Sequence, residues 1–213
     1  MIVTTQKPID EILGFISPYK NILIVGCDGC TQPPRGIKEA ETLQQFLELA
    51  AKLKNKGFNF STMTIAKQCD SHLVKTVLKD KMNGVETVLS LACGIGVQEL
   101  AQLLPGTPVF PTQNTHFMGA EEREQGILLE KCGGCGQCLL GVTGGICPVV
   151  RCSKGLLTGA CGGSKKGKCE LSTEKDCGWV LIYEQLNKLG RLDVLKQARP
   201  PRDYRLSGWK VAT

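Results

Sequence analysis

Asn21-Ile-Leu-Ile-Val-Gly-Cys27 is a short, unbroken apolar run that ends on a cysteine. A strand that alternates apolar and polar residues has one face in water. An uninterrupted run like this one is the pattern of a strand covered on both faces, as in a parallel sheet flanked by helices. Downstream, Pro33-Pro-Arg-Gly36 leads into a helical stripe of Ile37, Ala40, Leu43, Phe46, Leu47, Ala50 and Leu53, with Gly57 as its stop. Residues 58–65 read as a second strand, 71–82 as a helix closing at Asn83-Gly84, and 87–93 as a third strand. A helix near 97–104 and a short fourth strand within 107–111 complete the pattern. Strand and helix alternating over short connections predict right-handed crossovers. The expected fold class is therefore α/β: a small doubly wound parallel sheet of about four strands, within a domain spanning 1–130.

The texture changes after that. Residues 132–167 hold 11 Gly in 36 positions and show no apolar periodicity, so this stretch has no hydrophobic face to bury. Eight cysteines lie between 132 and 177, and sulfur-bound inorganic centres are what this segment can fold around. A C-terminal helix is expected on the stripe Trp179, Ile182, Tyr183, Leu186 and Leu189, ended by Gly190. The expected organisation is an irregular Cys/Gly-rich domain over 131–190 and a basic arm over 191–213. That arm carries Tyr204 and Trp209 and is a candidate to pack on another surface.

Twelve cysteines in 213 residues, against two histidines, exclude a His-rich metal enzyme. No run approaches the ~20 apolar residues of a membrane span, and the first ten residues have no signal-like apolar core. A cytoplasmic setting is expected, in which cysteines serve metals or clusters more often than disulfides. The net charge of +6 counts every thiol as neutral. Twelve thiolates around three dicationic centres would bring it to zero, so the basic balance gives no reason to expect a nucleic-acid partner.

The cysteines fall into three sets of four. Cys27, Cys30, Cys69 and Cys93 lie at or just beyond the carboxyl ends of three expected strands. Neighbouring parallel strands are ~4.8 Å apart, so these ends converge on the edge where open α/β sheets bind ligands. This set suits Zn²⁺ or an iron–sulfur cluster; otherwise Cys27 and Cys30 form a redox pair, and Cys69 and Cys93 are small buried hydrophobes. The second set is Cys132-Gly-Gly-Cys135-Gly-Gln-Cys138 with Cys147-Pro148. C-x₂-C-x₂-C followed by Cys-Pro is the spacing of a [4Fe–4S] loop, in which glycines let the chain turn tightly and bring backbone N–H groups to the sulfurs. A zinc knuckle is the alternative, and the long gap before Cys147 leaves an exchange of the fourth ligand with the third set open. That third set, Cys152, Cys161, Cys169 and Cys177, is widely spaced and fits either a second cluster or Zn²⁺.

Other features carry less. Gly94-Ile-Gly96 lacks the third glycine of a dinucleotide fingerprint and reads as a tight turn. Lys165-Lys166-Gly-Lys168 reads as a solvated loop, His72 as a helix-surface residue and His116 as part of a packed loop. No Ser/His/Asp set, phosphate loop or close carboxylate pair is visible.

The frame Cys147-Pro, Arg151-Cys152-Ser-Lys154-Gly-Leu156-Leu157, Ala160-Cys161-Gly-Gly-Ser164, Gly167-Lys-Cys169-Glu170, Asp176-Cys177-Gly-Trp179 and Ile182-Tyr183 resembles the methylenetetrahydrofolate reductase C-terminal domain family. Gly26-Cys27, Gln68-Cys69-Asp70, Cys93-Gly94, Gln98 and Asn114-Thr115 are similar to the rest of its small-subunit members. The family usually has Asn-Gly-Pro-Cys after the paired leucines. Here it is Thr158-Gly159-Ala160-Cys161, which keeps the cysteine frame.

The resemblance implies a small, non-catalytic subunit that carries one to three [4Fe–4S] clusters, two being the central expectation, and zinc. Its candidate cluster ligands are Cys132, Cys135, Cys138, Cys147, Cys152, Cys161, Cys169 and Cys177, while Cys27, Cys30, Cys69 and Cys93 would hold zinc or a cluster. It further implies a flavin-containing large subunit as partner, in which 5,10-methylenetetrahydrofolate is reduced to 5-methyltetrahydrofolate. Electrons would come from ferredoxin or a larger electron-transfer assembly. A structural scaffold for the flavoprotein is the alternative, and an independent methyl-transfer enzyme using the sheet edge is a third reading.

Overall fold

The computed structural model describes residues 1–203, which divide into two compact units with the boundary at Phe117/Met118. Unit 1 is built on a four-stranded, wholly parallel sheet. Its strands, in spatial order, are β4 (Asn59–Ile65), β2 (Asn21–Cys27), β5 (Thr87–Ser90) and β6 (Val109–Pro111). Helices α2 (Ile37–Leu53), α3 (Ser71–Leu78) and α4 (Gly94–Leu103) form the crossovers, and α1 (Ile9–Ile16) precedes β2.

The central run behaves as its composition requires. Ile22 and Ile24 pack with Ile12, Ile16, Leu43 and Leu47 of α1 and α2 on one side of the sheet. Leu23 and Val25 pack with Val74, Leu78 and Leu100 of α3 and α4 on the other. β2 is thus covered on both faces, and the expected doubly wound parallel sheet of four strands is present.

Several boundaries differ from the sequence reading. The α2 stripe runs through Ala40, Leu43, Leu47 and Ala51, whereas Phe46 and Leu53 face solvent. The helix ends at Leu53, before Gly57, and α3 stops at Leu78 rather than at residue 82. The third strand ends at Ser90, so Cys93 lies beyond it as the residue capping α4. Gly94-Ile-Gly96 therefore opens a helix and is not a turn. Gly96 is needed there for close packing, since a Cβ would stand 2.7 Å from Ala92 Cβ and 2.9 Å from Gln68 Cβ.

A second sheet was not foreseen. β1 (Ile2–Gln6) pairs in parallel with the two-residue β3 (Thr31–Gln32), and the long β7 (Gln113–Glu122) lies on the other side of β1. His116 is on this strand, and its Nε2 is 2.8 Å from Thr5 Oγ1.

In unit 2, the end of β7 pairs antiparallel with β8 (Ile127–Cys132), which delivers the chain to the second cysteine set. A single turn of helix, α5 (Pro148–Arg151), follows Cys147. A hairpin of β9 (Lys168–Cys169) and β10 (Ser172–Asp176) and the helix α6 (Gly178–Lys188) complete the unit. Trp179, Ile182 and Leu186 of α6 form its small apolar core, with Cys152 and Cys177 packed against it. Tyr183 and Leu189, read from the stripe as core, are about half exposed. Tyr204 and Trp209 lie outside the described residues.

Candidate metal centres

The first set is positioned by the parallel sheet. Cys27 ends β2, Cys30 follows three residues on, Cys69 lies in the loop after β4, and Cys93 caps α4. All four line one cavity of about 290 Å³, together with Gly29, Thr31, Ala66, Lys67, Ala92 and Gly96. Cys27 and Cys93 are buried while Cys30 and Cys69 are exposed, so the cavity has an inner wall and a solvent side.

Backbone bonds fix these loops. Cys27 N–H donates to Arg35 O at 2.6 Å, Ile2 N–H to Cys30 O at 2.8 Å, and Asp28 N–H to Ile65 O at 3.2 Å. Asp70 caps α3, its Oδ1 accepting from the backbone N–H groups of His72 and Leu73.

Gln68 anchors the loop that carries Cys69. It is fully buried; its Nε2 donates to Val25 O at 3.0 Å and to Gly26 O at 2.7 Å, and its Oε1 accepts from Ser90 Oγ at 2.6 Å. Thr115 Oγ1 accepts from Gly94 N–H at 2.9 Å and fixes the chain just after Cys93. Both positions stand in the family-like motifs, but nothing in their spacing discloses these roles. Burial pushes the Cys69 thiol above its ordinary pKa, as do Cys93 and Cys27 nearby, while Lys67 opposes the shift.

Thr31 is a further residue the sequence reading missed. It is 5% exposed and lines the four-cysteine cavity, and its hydroxyl has no hydrogen-bond partner. An orphaned buried polar group costs ~1–3 kcal/mol, which marks the position as one built to meet something.

The second set closes around a cavity of similar size, about 280 Å³, lined by Cys132, Cys135, Cys138 and Cys147 with Gly133, Gly134, Gly136 and Gln137. Gly134 and Gly136 have φ of 61° and 77°, a backbone region that side chains disfavour. Gly134 N–H points at Cys132 Sγ, 3.4 Å away. The C-terminal segment holds this loop from outside: Arg202 Nη2 donates to Cys135 O at 2.5 Å and Asp203 N–H to Gln137 Oε1 at 3.2 Å. A cavity of about 490 Å³ lies beside this contact and has no cysteine in its lining.

The third set also gathers. Cys152, Cys161, Cys169 and Cys177 line one cavity with Lys154, Glu170 and Trp179, but its volume is only about 20 Å³. Trp179 Nε1 donates to Leu156 O at 2.9 Å and ties the loop to α6. The Cys169 thiol is held below its ordinary pKa by the backbone N–H of Leu171 and by Ser153.

The donors can be tested against the groups expected of them. A tetrahedral zinc site with Zn–S of ~2.3 Å needs its sulfurs roughly 3.8 Å apart. Among the described residues no group of three or more His, Cys, Asp or Glu side chains is gathered so as to hold a metal ion. The first two sets instead each line one open cavity, and four cysteines are the donor set that a cluster or zinc takes. The third set lines a much smaller cavity, with room for about one water-sized body.

His72 is exposed on α3 and Lys165, Lys166 and Lys168 are exposed on the β9 hairpin, so none of them joins a cysteine set. None of the twelve cysteines is in a disulfide. No described helix is long and apolar enough to cross a membrane.

The fold and these cavities define a two-unit α/β protein whose cysteines are grouped four by four at loops. Residues 110–205 match the family described as methylene-tetrahydrofolate reductase C terminal, so that segment is similar to that family. No curated protein and no solved structure matches the chain.

Proposed function

We propose that this chain is the iron–sulfur electron-transfer subunit of a methylenetetrahydrofolate-reducing flavoenzyme, with the flavin and the folate site in a separate large subunit. Cys132, Cys135, Cys138 and Cys147 would hold one [4Fe–4S] cluster, and Cys27, Cys30, Cys69 and Cys93 a second. The observation that carries the reading is the pair of similar cavities, each lined by one complete set of four cysteines. The family match of residues 110–205 supplies the enzyme system. One-electron exchange is the chemistry such a cluster supplies when bound.

The protein's part is to hold and shield. In the first site Cys27 and Cys93 are buried and Cys30 and Cys69 reach solvent. In the second, Cys132 and Cys138 are exposed. Cys135 and Cys147 are half-buried, so each cavity has a more enclosed side and an open side through which a partner would exchange electrons. Ferredoxin or a larger electron-transfer assembly is the proposed donor, and a cytoplasmic location goes with it.

Iron, sulfide and zinc should be measured per chain after anaerobic isolation, followed by a redox titration with and without the flavin subunit. About eight iron per chain, reducible and able to reduce the partner's flavin, is the expected result. Iron near zero would refute the reading.

A scaffold role has its own support in the third set. Cys152 and Cys177 pack on the Trp179–Ile182–Leu186 core and line a cavity of only about 20 Å³. On that reading, clusters would be present but irreducible in the physiological range.

A further inference from the structure

We propose that the Thr31 hydroxyl is a hydrogen-bond donor to a sulfur of the centre held by Cys27, Cys30, Cys69 and Cys93, and so sets that centre's reduction potential. The inference rests on the reading of the first set as a cluster site.

Thr31 is 5% exposed, and its Oγ1 is buried with no hydrogen-bond partner. It lines the cavity that the four cysteines share. Its backbone has little freedom to relieve the orphan: Thr31 pairs with Ile2 and Gln32 with Val3 in the β3–β1 ladder. The preceding carbonyl, Cys30 O, accepts from Ile2 N–H. A hydroxyl held without a partner beside four cysteines lacks an acceptor. Thiolate and sulfide sulfurs are the acceptors that a bound cluster would bring to this wall. Such a hydrogen bond strengthens as negative charge builds on the sulfurs. It therefore favours the reduced state and raises the potential. Thr31 also borders a second cavity, of about 450 Å³, that shares Cys27 and Gly29 with the first. A hydroxyl serving only a ligand there would leave the cluster potential unmoved.

The test uses the full chain, isolated anaerobically with its flavin subunit, and reads each cluster's midpoint potential by electron paramagnetic resonance. Cys30→Ala identifies the first-set signal as the component lost together with about four iron. Thr31→Val keeps the shape of the side chain and removes the donor. It should retain the iron and lower the first-set potential by about tenfold in the reduction equilibrium, ~59 mV for one electron. The second-set signal should stay in place, and Thr31→Ser should restore the original value. Thr31→Ala must move the same component in the same direction; a shift in only one of the two hydroxyl-free variants marks packing and overturns the proposal. Unchanged potential in both, with the cluster present, also overturns it. Full iron retention in Cys30→Ala refutes the cluster reading of the site, and the inference falls with it.

Discussion

Replacing Gln68 by Leu probes how the sheet positions the first cysteine set. Gln68 has no exposed surface and makes three hydrogen bonds: to the carbonyls of Val25 and Gly26 at the end of β2, and from Ser90 Oγ at the end of β5. It thereby ties the Cys69 loop to both strands that lead to Cys27 and Cys93. A buried hydrogen bond contributes ~0.5–1.5 kcal/mol net, and a partner left unsatisfied costs more. Leu fills similar space and recovers some transfer energy. Val25 O keeps a second donor in Leu91 N–H, and Ser90 Oγ still accepts from Ala92 N–H. The balance is a loss of about 2–4 kcal/mol. Native-state hydrogen exchange read by mass spectrometry reports this locally. Peptides covering β2, β4 and β5 should exchange roughly 30- to 1,000-fold faster, at ~1.4 kcal/mol per tenfold. Peptides from α6 should not change. Acceleration below about threefold in those strands would mean that Gln68 is not holding the site.

Other perturbations test separate links. Glu86 Oε2 accepts from the backbone N–H groups of Lys20 and Asn21, which hold its carboxyl below the ordinary pKa. A depressed folded pKa gives stability that is present above the unfolded value and lost as pH falls through the folded one. Glu86→Gln should therefore destabilise the protein at neutral pH, with the difference from wild type fading below about pH 4 in thermal melts. Gly96→Val should cost ~1–3 kcal/mol or more by overpacking against Ala92 and Gln68, read as a lowered urea midpoint. Removing iron and zinc with a chelator should leave exchange protection in β2, β4 and β5 intact and abolish it between residues 132 and 177; equal losses in both regions would contradict this.

Much of the parallel sheet was legible because its signal is local. Residues 21–27 are apolar without a break, and the stripes of the flanking helices repeat at helical spacing. The second sheet was not legible. Residues 113–122 are mostly polar and half of them exposed, and β1 and β3 pair across some thirty residues with only two partners in register. Strand formation there depends on what lies alongside, which no period in the sequence encodes. The third strand was drawn too long for a related reason. Leu91 and Ala92 are apolar and buried, but they form the turn that aims Cys93 at the cavity. The grouping of cysteines could be read from their spacing and from the strand ends. Thr31 and Gln68 could not, because a lone threonine or glutamine has no spacing to read; only burial and hydrogen bonding distinguish them.

The two cysteine-rich regions are ordered by different forces. In unit 1, the sulfurs stand at the ends of strands whose side chains are buried on both faces, and each loop is pinned by backbone bonds or by Gln68. Hydrophobic burial fixes that geometry before any ligand arrives. Around Cys132–Cys147 the chain has left-handed glycines and a contact from Arg202, and the buried core of its unit is only the small Trp179–Ile182–Leu186 cluster. On the proposed reading, ligand binding there would supply folding energy. A site whose loops are pinned without ligand would change little between oxidation states, whereas a loop ordered by a bound centre would be sensitive to that centre's loss. On the proposed reading, the first site is the one whose properties single hydrogen-bond donors would tune, and the second is the one whose loss would unfold its surroundings.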